Sequence, residues 1–271
     1  MKQLLTITSL LGLSAFPASA VLLFADNFNA PDTANLDLSD QTGRRSGLNT
    51  QIQVRSSRIQ HGIAANQLNF LDNRTGRIRF HNDLDGDVNT SETWHDWSTG
   101  PAGAQILADG GLRVEFDWIA GNDTSTNWVS INAGHSNEAA GEPGFRVNEA
   151  SNDIGFLLRF NGQSELFDNG VNLGAQGSHT PTIGLRHVTV DYLFNSFADG
   201  TSVTMNANVD GTTIYSGSPF TWDGNGGEFY MELGTLESTS IDNVSISSIP
   251  EPSIGCLLAF SSLALLRRRR K

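Results

Sequence analysis

Leu112-Arg113-Val114-Glu115-Phe116-Asp117-Trp118 sets an apolar side chain at every second position and a charged one at each position between. Side chains alternate faces along a strand but return every three to four residues on a helix, so only a β-strand gives this stretch one oily and one wet face. The same period of two runs through Val188, Val190, Tyr192 and Phe194. It returns through Val203, Met205, Ala207 and Val209, opposed by Thr204, Asn206 and Asn208. Asp199-Gly200 and Asp210-Gly211 each separate two such segments, and Asp-Gly suits a two-residue hairpin turn with positive φ. Residues 186–216 therefore read as a three-strand meander of half-buried antiparallel strands.

Outward from this meander, further strands are expected from Val21-Leu22-Leu23-Phe24 and near 52–55, 68–71, 77–81, 104–108, 127–133, 154–160, 228–234 and 240–247. About a dozen short strands without a long helical stretch imply a single all-β domain, an antiparallel β-sandwich over 21–248.

The two ends have a different composition. Met1-Lys2, an apolar stretch from Leu4 to Phe16 and Ala18-Ser19-Ala20 have the order of a signal peptide, 1–20; a buried N-terminal helix is the alternative. The tail, 249–271, carries Pro250-Glu251-Pro252-Ser253, then the apolar run Ile254 to Leu266, then Arg267-Arg268-Arg269-Arg270-Lys271. The prolines keep the last strand from continuing into a helix. The apolar run, at about 1.5 Å per residue, falls short of a roughly 30 Å hydrocarbon layer. Snorkelling arginines and local thinning extend its reach, and the cations favour the cytoplasmic leaflet. A short transmembrane helix over 254–266 is the expectation, with the body outside; a helix packed on the domain is the alternative.

Without the two ends, basic residues fall from 17 to 11 and acidic ones from 29 to 28, leaving a body of net charge about −17 with no lysine. That charge repels nucleic acid and anionic membranes. The one cysteine, Cys256, lies in the tail, so neither disulfides nor thiol chemistry serve the body.

Pro250-Glu251-Pro252, the apolar run and the basic end together resemble the PEP-CTERM sorting signal. The resemblance covers about the last twenty residues. It implies a partner, an exosortase-type sorting enzyme in the membrane, with Pro250, Glu251 and Pro252 as its recognition element, Arg267 to Lys271 as the retention element, and final placement at the cell surface or in extracellular matrix. The body is similar to concanavalin A-like jelly rolls, including laminin-G-type modules, on the strength of Asp26-Asn27-Phe28, Gly155-Phe156-Leu157-Leu158-Arg159-Phe160 and Ile241-Asp242-Asn243-Val244-Ser245-Ile246. In such folds the last strand returns beside the first, which implies that Phe28 and Val244 lie close together.

That group includes glycoside hydrolases with Glu-x-Asp-x-x-Glu on one strand. Glu115 and Asp117 fill two of those positions, but the third falls on Ala120, so the proton donor of a two-carboxylate mechanism is missing. No His-Glu-x-x-His, Gly-x-Ser-x-Gly or phosphate-cradling glycine loop occurs, and histidines such as His61, His135 and His187 are scattered singly. A non-catalytic protein is expected, the alternative being a glycan-processing enzyme with a relocated acid.

Two loops carry binding chemistry. Asp83, Asp85, Asp87 and Glu92 alternate around Gly86 as in an oxygen-lined calcium loop, although His81 stands at the first ligand position of the EF-hand pattern. The site is thus either a Ca2+ loop outside an EF-hand or a plain acidic turn. Trp94-His95-Asp96-Trp97 offers two indoles beside polar groups, suited to stacking on the sugars of an extracellular polysaccharide; either indole could instead plug the core.

Overall fold

A computed structural model describes residues 19–29, 45–46, 52–55, 61–64, 67–70, 75–80, 97–120, 127–134, 147–148, 152–181, 183–223, 229–236 and 239–249. The body, Ala20–Ile249, forms one compact unit. The expected signal helix and C-terminal helix fall outside the described residues, among which no helix is long and apolar enough to cross a membrane.

Along the chain run β1 (Leu22–Asp26), β2 (Arg45–Ser46), β3 (Ile52–Arg55), β4 (His61–Ala64), β5 (Gln67–Phe70), β6 (Thr75–Phe80), α1 (Gly100–Ala108) and β7 (Gly111–Ala120). There follow β8 (Trp128–Gly134), β9 (Ile154–Arg159), β10 (Gln163–Asp168), β11 (Val171–Ser178), β12 (Gly184–Leu193), β13 (Ser202–Val209), β14 (Thr212–Thr221), β15 (Tyr230–Leu236) and β16 (Thr239–Ser248). One nine-stranded sheet has the order β14-β13-β12-β7-β16-β1-β2, with β5 also on β16 and β4 on β5. A second, seven-stranded sheet has the order β11-β10-β9-β8-β15-β6-β3.

The alternation read in β7 decides which face is buried. Leu112, Val114, Phe116 and Trp118 are at most 1% exposed, whereas the side chains of Arg113 and Glu115 are 42% and 33% exposed. Val188, Val190, Tyr192, Val203, Met205, Ile241 and Ile246 extend this layer across the nine-stranded sheet. From the seven-stranded sheet, Val129, Ile131, Phe156, Leu158, Met231 and Leu233 join the same core. Each large aliphatic or aromatic side chain withdrawn from water contributes roughly 1.5–3 kcal/mol. The last strand returns to the first: β16 pairs with β1, Asp26 facing Val244, and Phe28 lies in the same buried cluster as Val244.

Three expectations change. Residues 104–108 form the end of α1, not a strand. Pro101 suits the first turn of a helix, while Ala, Gln and Leu favour its continuation, and so short an apolar run does not reveal its own period. Asp210-Gly211, with φ of 51° and 74°, is the expected tight hairpin between β13 and β14. Asp199-Gly200, by contrast, ends the longer connection 194–201, where the Gly200 N–H bonds the Trp222 carbonyl at 2.8 Å. Asn169-Gly170 is a second tight turn, joining β10 to β11, two strands that the alternation reading passed over.

Candidate functional site

The two sheets turn unlike faces away from the core. On the nine-stranded sheet, β7 places Glu115 and Asp117 on the outer side next to His187 of β12. His187 Nδ1 lies 2.7 Å from Asp117 Oδ1, and its Nε2 lies 3.8 Å from Glu115 Oε1. A bulge in β16 between Asp242 and Ser245 turns Asn243 to positive φ, and its Nδ2 donates to Asp117 Oδ2 at 2.7 Å. Arg113 pairs with Asp191 through two hydrogen bonds of 2.7 and 2.9 Å. Ala120 is 1% exposed and belongs to the core, so a carboxylate at that position would be buried away from Glu115 and Asp117.

The outer side of the seven-stranded sheet is more unusual, because its polar groups are buried. Strand alternation that sends Val129, Ile131 and Ala133 inward sends Trp128, Ser130 and Asn132 outward. Asn132 stands opposite Gly155 and Glu232, and Ser130 opposite Leu157 and Gly234. Asn132 and Glu232 are each 1% exposed and Ser130 is 2% exposed. Asn132 Nδ2 reaches Ser130 Oγ at 3.4 Å, while its Oδ1 has no hydrogen-bond partner among the described residues. A buried amide oxygen without a donor costs about 1–3 kcal/mol, so this position forgoes stability.

Next to it, Arg159 Nε donates to Glu165 Oε1 at 2.5 Å, and Asn172 Nδ2 donates to Glu165 Oε2 at 2.8 Å. Burial alone would raise the Glu165 carboxyl; the bonds from Arg159 and Asn172 outweigh it and hold it below the usual carboxylate range. Val147 packs with Leu157, Phe167 and Trp128 over the same side. This close approach requires Gly155: an added Cβ would lie 2.7 Å from Val147 Cγ2 and 2.5 Å from Asn152 Nδ2. Trp128 and Arg159 remain half-exposed at the margin.

Near the turn between β10 and β11, Asp153 is fully buried. Burial first, then the neighbouring Asp223, Asp168 and Asp199 carboxylates, push its carboxyl up to about 8. No group of three or more His, Cys, Asp or Glu among the described residues is placed to hold a metal ion.

The residues singled out in the sequence meet different fates. Trp97 is 0% exposed and belongs to the core cluster, its backbone N–H bonded to the Phe229 carbonyl at 2.7 Å, so its indole plugs the core and presents no ring face to a sugar. Trp94, the acidic loop with Asp83, Asp85, Asp87 and Glu92, the motif Pro250, Glu251 and Pro252, and the basic end Arg267, Arg268, Arg269, Arg270 and Lys271 lie outside the described residues. Asn132, Glu232 and Arg159 went unnoticed because each is one polar residue in an otherwise strand-like stretch. The readable signal was the alternation Trp128, Ser130, Asn132, which gives the strand two meaningful faces.

No family model and no curated protein matches this chain. Among solved structures, the potassium-bound carbohydrate recognition domain of Emp46p is similar with a TM-score of 0.51 at 12% identity, covering 79% of this chain and 94% of that one. The likeness is one of fold. The alginate lyase Aly36B follows at a TM-score of 0.44 and 12% identity (84% of this chain, 97% of that one), and carbohydrate binding module CBM66 from Bacillus subtilis at 0.38 and 10% (72% and 95%). The body is thus an antiparallel β-sandwich whose fold is similar to that of the Emp46p carbohydrate recognition domain.

Proposed function

We propose that the body binds glycan through the outer side of its seven-stranded sheet, and that its ends carry it out of the cell and hold it at the surface. The observation that carries the first part is the buried polar row centred on Asn132, whose amide oxygen meets no donor among the described residues. Sugar hydroxyls recover such a bond, and the half-exposed Trp128 and Arg159 form the rim at which a chain enters. The sandwich of a carbohydrate recognition domain supports the reading at the level of fold alone.

In this reading the protein is a binder and not a hydrolase, which the burial of Ala120 supports: a carboxylate at that position would lie in the core, away from Glu115 and Asp117. The acidic loop at 83–92 takes a Ca2+ ion in this reading, and an exosortase-type enzyme recognises Pro250-Glu251-Pro252 while the membrane holds the tail.

Binding of a polysaccharide panel to the full chain tests the first part. Asn132→Ala is expected to weaken binding at least tenfold without lowering the melting temperature, since it also removes the unpaired amide oxygen. Binding indifferent to that substitution, or release of reducing ends from the panel, refutes the reading.

A further inference from the structure

We infer that the glycan is built of neutral hexopyranose units, recognised by a hydroxyl and a ring face and not by charge, with the Trp128 indole as the platform on which one ring stacks. The inference rests on the binding reading above and adds the class of ligand and the residue that selects it.

Gly234 carries the argument. It stands opposite Ser130 in register, and a Cβ added there would meet Ser130 Oγ at 2.7 Å, Trp128 Cζ3 at 3.3 Å and Asn132 Nδ2 at 3.7 Å. Three side chains of β8 thus converge on one point over the backbone of the neighbouring strand. Trp128 and Asn132 are four residues apart, about 13 Å along the strand, so the indole reaches that point only by lying down along the sheet. A glycine at 234 permits so close an approach. The indole also packs against the cluster of Val147, Leu157 and Phe167. Contacts with β15 on one side and with that cluster on the other are those of a ring laid across its own strand. Ser130, Asn132 and Gly234 beneath it are buried, whereas Trp128 itself is half-exposed.

The chemistry of the two groups defines the ligand. Asn132 Oδ1 is an acceptor without a donor among the described residues, and ionised carboxylates and sulfates have no proton to give it. A hydroxyl does. The negative face of an indole attracts C–H bonds, which a pyranose presents on the side from which its hydroxyls point away. Arg159, the cross-strand neighbour of Trp128, already donates to Glu165 at 2.5 Å, so its charge is met within the protein. Because indole and amide converge over Gly234, one ring lies on the first while its rim hydroxyl reaches the second. The amide is 1% exposed, so the sugar moves the indole as well as covering it.

The test uses the full chain in mild detergent with pullulan, galactan and polygalacturonate, by calorimetry in low and in high salt and by acrylamide quenching of tryptophan fluorescence. Trp97, Trp118 and Trp222 are at most 1% exposed, so among the described tryptophans Trp128 is the one the quencher reaches. The expected result is binding of pullulan or galactan, indifferent to salt, with protection from quenching. Trp128→Ala weakens it about tenfold, and Trp128→Phe keeps most of the affinity but removes the protection. Which of the two binds identifies a glucan or a galactan, and either supports the inference. If Trp128→Ala loses its melting transition, Trp128→Phe and the protection decide in its place. Neutral binding that is sensitive to Asn132→Ala but untouched by Trp128→Ala overturns the inference and leaves the glycan reading standing. Polygalacturonate bound as tightly as the neutral chains, or in place of them, does the same, and no binding to any probe overturns both.

Discussion

Asp153 ties the stability of the body to pH. Its proton is held up to about pH 8 in the folded protein by burial and by the carboxylates of Asp223, Asp168 and Asp199, whereas an unfolded chain releases it in the usual carboxylate range. The stability this proton supplies is complete below the unfolded value and is lost progressively as pH rises to about 8. Asp153→Asn removes that loss, so the variant should exceed the parent at pH 9 by on the order of 2–5 kcal/mol. Thermal unfolding at pH 5 and pH 9 measures it, and parallel pH profiles would contradict the assignment. Tyr192 makes a second case, with a phenol 0% exposed and a hydroxyl lacking a partner among the described residues. Tyr192→Phe deletes an orphaned polar group without opening a large void, and should raise stability by about 1 kcal/mol in a urea titration.

At the scale of elements, α1 is fixed by one close contact. A Cβ on Gly103 would lie 2.1 Å from the Ser98 carbonyl oxygen, backbone that has no rotamer with which to yield. Gly103→Ala is expected to shift the first turn of the helix, destabilise the body by roughly 1–3 kcal/mol and loosen Trp97, which a red shift and weakening of tryptophan fluorescence should report. The same element marks a limit of reading by pattern. Strands β7, β12, β13 and β16 were legible because one face is wet and the other oily, so the period of two is written in residue type. β10 and β11 were not: in β10 the adjacent Leu166 and Phe167 are both buried, so no period of two shows, and in β11 Val171 and Leu173 are exposed, so there is no oily face to mark a strand.

Across the whole molecule, the two exteriors differ. One carries a hydrogen-bonded lattice around Asp117, His187 and Asn243; the other carries the buried polar side chains of Ser130, Asn132 and Glu232. Both are sides of one core, so loss of binding through Asn132 should leave the global unfolding transition in place. For the chain ends, deletion of 250–271 should move the protein from membrane and cell surface into the medium, measured by fractionation of the producing cells. An unchanged distribution would count against retention by the tail.

Residue order alone determined the sandwich class, the meander and the hairpin at Asp210-Gly211, because local alternation and turn chemistry are sufficient to specify them; the pairing of the last strand with the first was implied by the resemblance to concanavalin A-like folds. Only the tertiary structure decided that Trp97 is core, that Ala120 leaves no room for a third carboxylate outside it, and that Asn132 meets Glu232 across a sheet. The reason is physical: a strand's own sequence gives it two faces, but which face is sealed, and which distant strand lies beside it, depends on pairing across about a hundred intervening residues.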